Sequence, residues 1–281
     1  MKRAVIDIGS NSVRLMIEHN KDKLINTTQL AEGLSLTGRL NDDAIKRTAD
    51  TVIDFYSRAQ AYVDKIYVFA TGAVRNAING EDFINYLNKY DIEAEVLSGD
   101  IEAKAGFYGA YTGGNTAVID IGGASTEIIV GENYSIKYSK SVDIGIVRLR
   151  DLCGQDIPML AKYISNKLVE FGSVPVPDYA VSIGGTASTV AAILLGGYER
   201  KLVDNFRLTL NDIEKVLDLL VNTKDLSKIK GLPIMRRTVI TGGVLLLKSI
   251  AEYIGLDGVT VSESDNMEGF LKILDLGLYR Q

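Results

Sequence analysis

Short apolar runs that end in small-residue turns alternate along this chain with longer stretches whose apolar residues recur every three or four positions. The runs at 3–9, 12–19 and 23–30 read as strands joined by tight turns. The spacing of Ala44, Ile45, Thr48, Val52, Phe55 and Ala59 predicts a helix over 42–62, with Asn41 as its cap. A β-rich run at 66–71 stops at Gly72, a short helix follows at 80–89, and a strand at 93–97 leads into a helix from 99 to about 110. Thr112-Gly113-Gly114-Asn115 then breaks the pattern. The scheme restarts with strands at 115–121, 125–131 and 134–142 and helices at 145–152 and 157–171. A strand at 180–183 runs into an apolar helix at 186–195, and a further helix spans 210–222. The segment 233–254 reads as a long apolar helix with a candidate break at Gly242-Gly243, followed by a strand at 258–262 and a last helix at 266–279. This order predicts an α/β protein of two similar domains, 1–113 and 114–281, with the last helix free to return to the first.

The restart is nearly literal. Val5–Ile17 reads VIDIGSNSVRLMI and Val118–Val130 reads VIDIGGASTEIIV, with six of thirteen positions identical. Each copy is a buried strand carrying an Asp, a turn of small residues, and a second strand. Such turns bare backbone amides, which favour anions and above all phosphate. Two copies predict one phosphate loop from each domain, offered to a shared cleft.

Composition narrows the possibilities. A net charge of −5 argues against a broad nucleic-acid face. The single cysteine, Cys153, excludes an internal disulfide and a cysteine metal cluster, and fits a reducing, cytoplasmic setting. Asp7 interrupts the apolar run behind Met1-Lys2-Arg3 too early for a signal peptide, and no run approaches the length of a membrane span. One histidine, His19, makes Ser–His or Cys–His triads improbable.

Four turns carry the candidate chemistry: Gly9-Ser10-Asn11-Ser12, Gly72-Ala73-Val74-Arg75, Gly122-Gly123-Ala124-Ser125 and Gly184-Gly185-Thr186. One glycine turn usually does no more than reverse a strand. Four, each following an apolar strand, point to phosphate, because glycine lets amides approach it closely and Ser or Thr hydroxyls add donors. Asp7 and Asp120 hold equivalent places in the repeats; each either caps its own turn or helps hold Mg²⁺. Arg14 and Glu127 are likewise equivalent. They are either an ordinary surface pair or a phosphate-binding guanidinium and a carboxylate that positions water or metal. Glu102 lies in the first turn of the helix that Ser98 caps, one step past the capping-box position. The helix dipole favours an ionised carboxylate there, and on spacing alone a structural role is the stronger reading.

Taken together, DIGSNSVRL at 7–15, ATGAVRNA at 70–77, LSGDIEA at 97–103, VIDIGGASTE at 118–127, IGIVRL at 144–149 and IGGTAST at 183–189 resemble the exopolyphosphatase / guanosine pentaphosphate phosphatase (Ppx/GppA) family. That family lies within the actin-like ATPase superfamily. The resemblance implies two ribonuclease-H-like domains with an interdomain active site, and hydrolysis of a terminal phosphoanhydride in polyphosphate or guanosine pentaphosphate with Mg²⁺. By position it places Glu102 as the catalytic base and Arg75 as a phosphate-binding arginine. It places Gly9, Ser10, Asn11, Ser12 and Arg14 in the first phosphate segment. Asp120, Gly122, Gly123, Ala124, Ser125 and Glu127 fall in the second, phosphate and metal, segment. It also makes a homodimer and the short two-domain form the expectation. Departures cluster late, at Asn205-Phe206, Arg236-Arg237-Thr238 and Asp265-Asn266-Met267-Glu268-Gly269, and bear on substrate preference. Two other readings use the same loops: an ATP-dependent small-molecule kinase, for which IGGTAST resembles an adenosine-side loop, and a non-catalytic sensor of guanosine tetra- or pentaphosphate.

Overall fold

The computed structural model describes residues 1–20 and 23–279. They fall into two compact units: one holds the described residues up to Glu102 together with Gly122–Ala124, the other Ala103–Ile121 and the described residues from Ser125 onward. The first contains β1 (Arg3–Ile8), β2 (Val13–Ile17), β3 (Lys23–Asn26), α1 (Leu34–Thr37), α2 (Asp42–Gln60), β4 (Lys65–Ala70), α3 (Gly72–Asn76), α4 (Gly80–Asn88) and β5 (Glu95–Val96). Helix α5 (Gly99–Ala110) starts in the first unit and continues into the second. The second unit adds β6 (Thr116–Ile121), β7 (Thr126–Glu132), β8 (Ser135–Val142), α6 (Ile146–Cys153), α7 (Ile157–Leu168) and β9 (Tyr179–Ile183). It continues through α8 (Gly185–Leu195), α9 (Arg200–Val203), β10 (Arg207–Thr209), α10 (Leu210–Asn222), α11 (Ile240–Ile254), β11 (Gly258–Val261) and α12 (Asn266–Asp275).

The two sheets repeat one topology. The first has the order β3-β2-β1-β4-β5. The second runs β8-β7-β6-β9-β11, with β10 added at its far edge. In each the hairpin pairs are antiparallel and the central crossover pair, β1·β4 or β6·β9, is parallel. Both units therefore have the ribonuclease-H-like, actin-like ATPase topology. The central strands are almost wholly apolar because helices cover both faces of such sheets.

Local rules account for most elements. Asn41 caps α2 by accepting from Asp43 N at 2.9 Å and Ala44 N at 3.4 Å, with Asp42 and Asp43 placed well for the helix dipole. Ala44, Thr48, Val52, Phe55 and Ala59 line the buried face. Each large apolar side chain so buried is worth roughly 1.5–3 kcal/mol. The break expected at Gly242-Gly243 is not there: both glycines lie inside the unbroken helix α11. A Cβ on Gly242 would meet Leu149 and Leu160, and one on Gly243 would lie 3.0 Å from Ile146 and 3.2 Å from Thr186. Close packing holds these residues helical against their own propensity. The interruption comes earlier, where a 3₁₀ turn at Ile234–Arg236 precedes α11. Residues 72–76, read as a turn, form the short helix α3. No helix among the described residues is long and apolar enough to cross a membrane.

Candidate functional site

The first turn of the repeat is tightly built. Gly9 N donates to Ser12 O at 3.0 Å, so the amide of Gly9 closes the turn itself. The carbonyls of Ser10 and Asn11 accept from Ala31 N and Gln29 N, both at 2.9 Å. Arg47, from α2, donates to the carbonyls of Thr28 and Gln29 and to Glu32, fixing the strip on which the turn rests. The carbonyls of Ser10 and Asn11 are thus turned away and occupied. The amides of Ser10, Asn11 and Ser12 are the turn's candidate anion donors. Asn11 is buried, and its Oδ1 has no hydrogen-bond partner among the described residues.

The second turn packs with the first unit rather than with its own strands, since Gly122–Ala124 belongs to that unit. A Cβ on Gly123 would lie 2.6 Å from Ser10 Cβ and 3.2 Å from Asn11 N. No side chain fits there, which explains the glycine at this point of the repeat. Two small-residue turns whose amides favour anions are therefore brought together.

Beside them stand Arg75 and Glu102. Arg75 projects from α3, and its Nη1 donates to Glu102 Oε2 at 2.8 Å and to the carbonyl of Leu97 at 2.8 Å. Glu102 is only 7% exposed. Burial pushes its carboxyl above the ordinary range. The Arg75 charge and hydrogen bond oppose that rise, the Asp7 charge adds to it, and a hydrogen bond from the Thr71 side chain lowers it. The helix dipole alone had favoured plain ionisation; desolvation, invisible in the spacing, outweighs it. Thr71 follows β4 at the N-cap of α3 and makes no capping bond to that helix; its hydroxyl serves the carboxylate instead.

Asp7 and Arg14 are opposite one another in the β1·β2 register, and they form a buried ion pair. Asp7 is 1% exposed and the Arg14 side chain 18%, so Arg14 is held within its own hairpin rather than lying loose at the surface. Within the hairpin Asp7 accepts through Oδ2, from Arg14 Nε at 3.1 Å and from Nη2.

In the second unit the equivalent pair is Asp120 and Glu127, opposite one another in β6·β7. Directly opposite residues of an antiparallel pair share a face, with Cβ atoms about 4.5–5.5 Å apart. Glu127 is 2% exposed and accepts from Ser141 Oγ at 2.5 Å. Ser141 is its partner in the next register, β7·β8. Asp120 accepts from Asn266 Nδ2 at 3.2 Å. Gly184, with φ +82°, brings its backbone close to Asp120: a Cβ there would lie 3.2 Å from Oδ1. No group of three or more His, Cys, Asp or Glu side chains arranged to hold a metal occurs among the described residues. Two facing carboxylates nonetheless suit Mg²⁺, which usually takes one or two carboxylates and completes its shell with water and substrate phosphate oxygens.

Gly184-Gly185-Thr186 forms the start of α8, where Gly184 supplies no side-chain cap. The guanidinium of Arg236 lies against Gly185 so closely that any Cβ would overlap it. Arg236, Ser141, Thr71 and Asn266 all touch candidate site residues; the sequence marked Arg236 and Asn266 only as departures from the family pattern, and Ser141 and Thr71 not at all. Ser141 was within reach of a register argument, since it pairs with Glu127 across one turn. Arg236 and Asn266 arrive from distant elements and left no local signal of these contacts. Among the late departures, Met267 is wholly buried, Asn205 takes φ +64° ahead of β10, and Thr238 is exposed. His19 is exposed and Cys153 buried.

Residues 5–274 match the model of the Ppx/GppA phosphatase family. The chain is 30% identical to a bifunctional 3-dehydroquinate synthase/phosphatase of Fusobacterium nucleatum, over 95% of this chain and 46% of that protein. It is 28% identical to exopolyphosphatase 2 of Mycobacterium tuberculosis, over 95% of this chain and 96% of the relative. It thus spans about half the length of the first relative and nearly all of the second. A crystal structure of the Aquifex aeolicus member of the Ppx/GppA family is similar over 100% of this chain and 99% of its own, with TM-score 0.80 and 25% identity.

Proposed function

The chain belongs to the Ppx/GppA phosphatase family, and from that premise we propose that it releases terminal orthophosphate from inorganic polyphosphate or guanosine pentaphosphate. The observation that carries this reading is the buried Glu102–Arg75 pair, set in the same unit as the two joined amide-rich turns. Glu102 accepts the proton of a water that attacks the end phosphorus, in line with the departing phosphate. Its raised proton affinity suits a base better than an ordinary surface carboxylate would. Arg75 holds the carboxylate in one orientation, anchored in turn by the Leu97 carbonyl. The amides of Ser10, Asn11, Ser12, Gly122, Gly123 and Ser125 bind phosphate oxygens, and Arg236 with the first turn of α8 offers a further anion site. Asp120 and Glu127 would hold Mg²⁺. When bound, the ion neutralises charge on the phosphate oxygens.

Orthophosphate release is to be measured with Mg²⁺ on short polyphosphate, long polyphosphate and guanosine pentaphosphate in parallel, in water enriched in ¹⁸O. The expected result is release from at least one of them, with one ¹⁸O entering each orthophosphate. Transfer of phosphate to an added acceptor without solvent oxygen would make the protein a kinase. Tight binding without release would make it a sensor.

A further inference from the structure

We propose that Asn266 is a positioning residue for Asp120, one that aims the carboxylate through a donor that adds no charge of its own. The inference rests on the reading of Asp120 and Glu127 as the metal-holding pair. Asn266 opens α12 and is 4% exposed. It reaches Asp120 across 146 residues of sequence through a hydrogen bond of 3.2 Å. The end of the helix that presents it is held firmly. Asp265 accepts from Met267 N at 3.0 Å, while Glu268 Oε2 accepts from Asp265 N at 3.0 Å, closing a capping box. The helix then lies directly on α5. A Cβ on Gly109 would overlap the carbonyl of Asp265, and one on Gly269 would overlap that of Ala105. Lys272 Nζ adds a bond to the carbonyl of Tyr108 at 2.9 Å. Asn266 itself is wedged against α5, where a Cβ on Gly106 would stand 2.9 Å from its Oδ1.

Chemistry fixes the amide's orientation. Only Nδ2 can face a carboxylate, because Oδ1 would set acceptor against acceptor. Oδ1 is then left buried with no hydrogen-bond partner among the described residues. Stability alone does not ask for that arrangement, since leucine would fill a similar volume and strand no buried oxygen. What asparagine supplies and leucine does not is the N–H toward Asp120. A cationic side chain at 266 would hold Asp120 as well, but it would also neutralise it, as Arg14 does for Asp7. A neutral donor orients the carboxylate without competing for it.

The test titrates Mn²⁺, as a spectroscopic stand-in for Mg²⁺, into the full chain with imidodiphosphate present, and follows the free Mn²⁺ signal by electron paramagnetic resonance. Asn266→Leu is expected to weaken Mn²⁺ binding about 10–100-fold, the usual effect of removing a partner behind a ligand. Its metal-free melting temperature should stay at or above that of the unaltered chain. Asn266→Ala, which removes the same donor without adding bulk, carries the test if the leucine variant does not fold. Unchanged Mn²⁺ affinity in a folded variant, alongside a large loss in Asp120→Asn, would overturn the role of Asn266 and leave the metal reading standing. Failure of the unaltered chain to bind Mn²⁺ would overturn both.

Discussion

The two hairpins at the heart of this protein share a backbone and differ in one charge. In the first, Asp7 faces Arg14, and the pair neutralises itself. In the second, at the same register, Asp120 faces Glu127. The next strand supplies Ile25 opposite Arg14 and Ser141 opposite Glu127. The first ladder thus closes as an ion pair at the base of the Gly9–Ser12 turn. In the second, two carboxylates face one another, and Ser141 donates to Glu127 while Asn266 donates to Asp120. The residue at the second strand, Arg14 in one hairpin and Glu127 in the other, separates an ion pair from two facing carboxylates, and on the proposed reading that divides the labour between anion binding and cation binding.

The sharpest way to break this comparison is Arg14→Ala. Removing one partner of a buried ion pair typically costs about 3–5 kcal/mol, so urea unfolding should shift well to lower denaturant. A loss below about 1 kcal/mol would show that the first hairpin does not depend on its own pair. Next in size is Glu127→Arg, which gives the second hairpin the charges of the first. Its fold should persist, and Mn²⁺ affinity should fall about 100-fold or more, roughly 2.7 kcal/mol. Retained metal binding would refute the division of labour. Glu127→Gln should act more gently and with the opposite sign to Arg14→Ala. Relief of facing like charges is worth roughly 0.2–1 kcal/mol, read as a small rise in metal-free melting temperature.

Glu102 gives the smallest effect on stability and a test of the electrostatics. It too sits beside a guanidinium, yet burial holds its proton affinity above the ordinary range. A carboxyl raised by folding favours the folded state when protonated, and that contribution is lost as pH rises through its folded value. Glu102→Gln, which stays neutral, should therefore melt above the unaltered chain at pH 7. The gap should shrink as pH falls toward the ordinary carboxylate range. A gap that widens on acidification would mean that Arg75 outweighs desolvation.

Much of this was readable in the sequence because it is local. The repeated phrase marked both hairpins, and Asn41 marked the start of α2. Hairpin closure even implied the facing pairs: once Ile8 meets Val13, Asp7 must meet Arg14. The unread part is what burial and distance decide. Desolvation of Glu102 depends on what covers it, the continuity of α11 through two glycines depends on neighbours from α6 and α7, and Asn266 meets Asp120 only because α12 crosses α5 at glycines. None of these leaves a period or a motif along the chain.

The most direct measurement of the central claim is turnover of Glu102→Gln set beside its binding of substrate. With the substrate that the unaltered chain hydrolyses, kcat should fall about 10²–10⁴-fold while affinity stays within a few-fold. A variant that keeps near-full kcat would contradict the role of this carboxylate as the base.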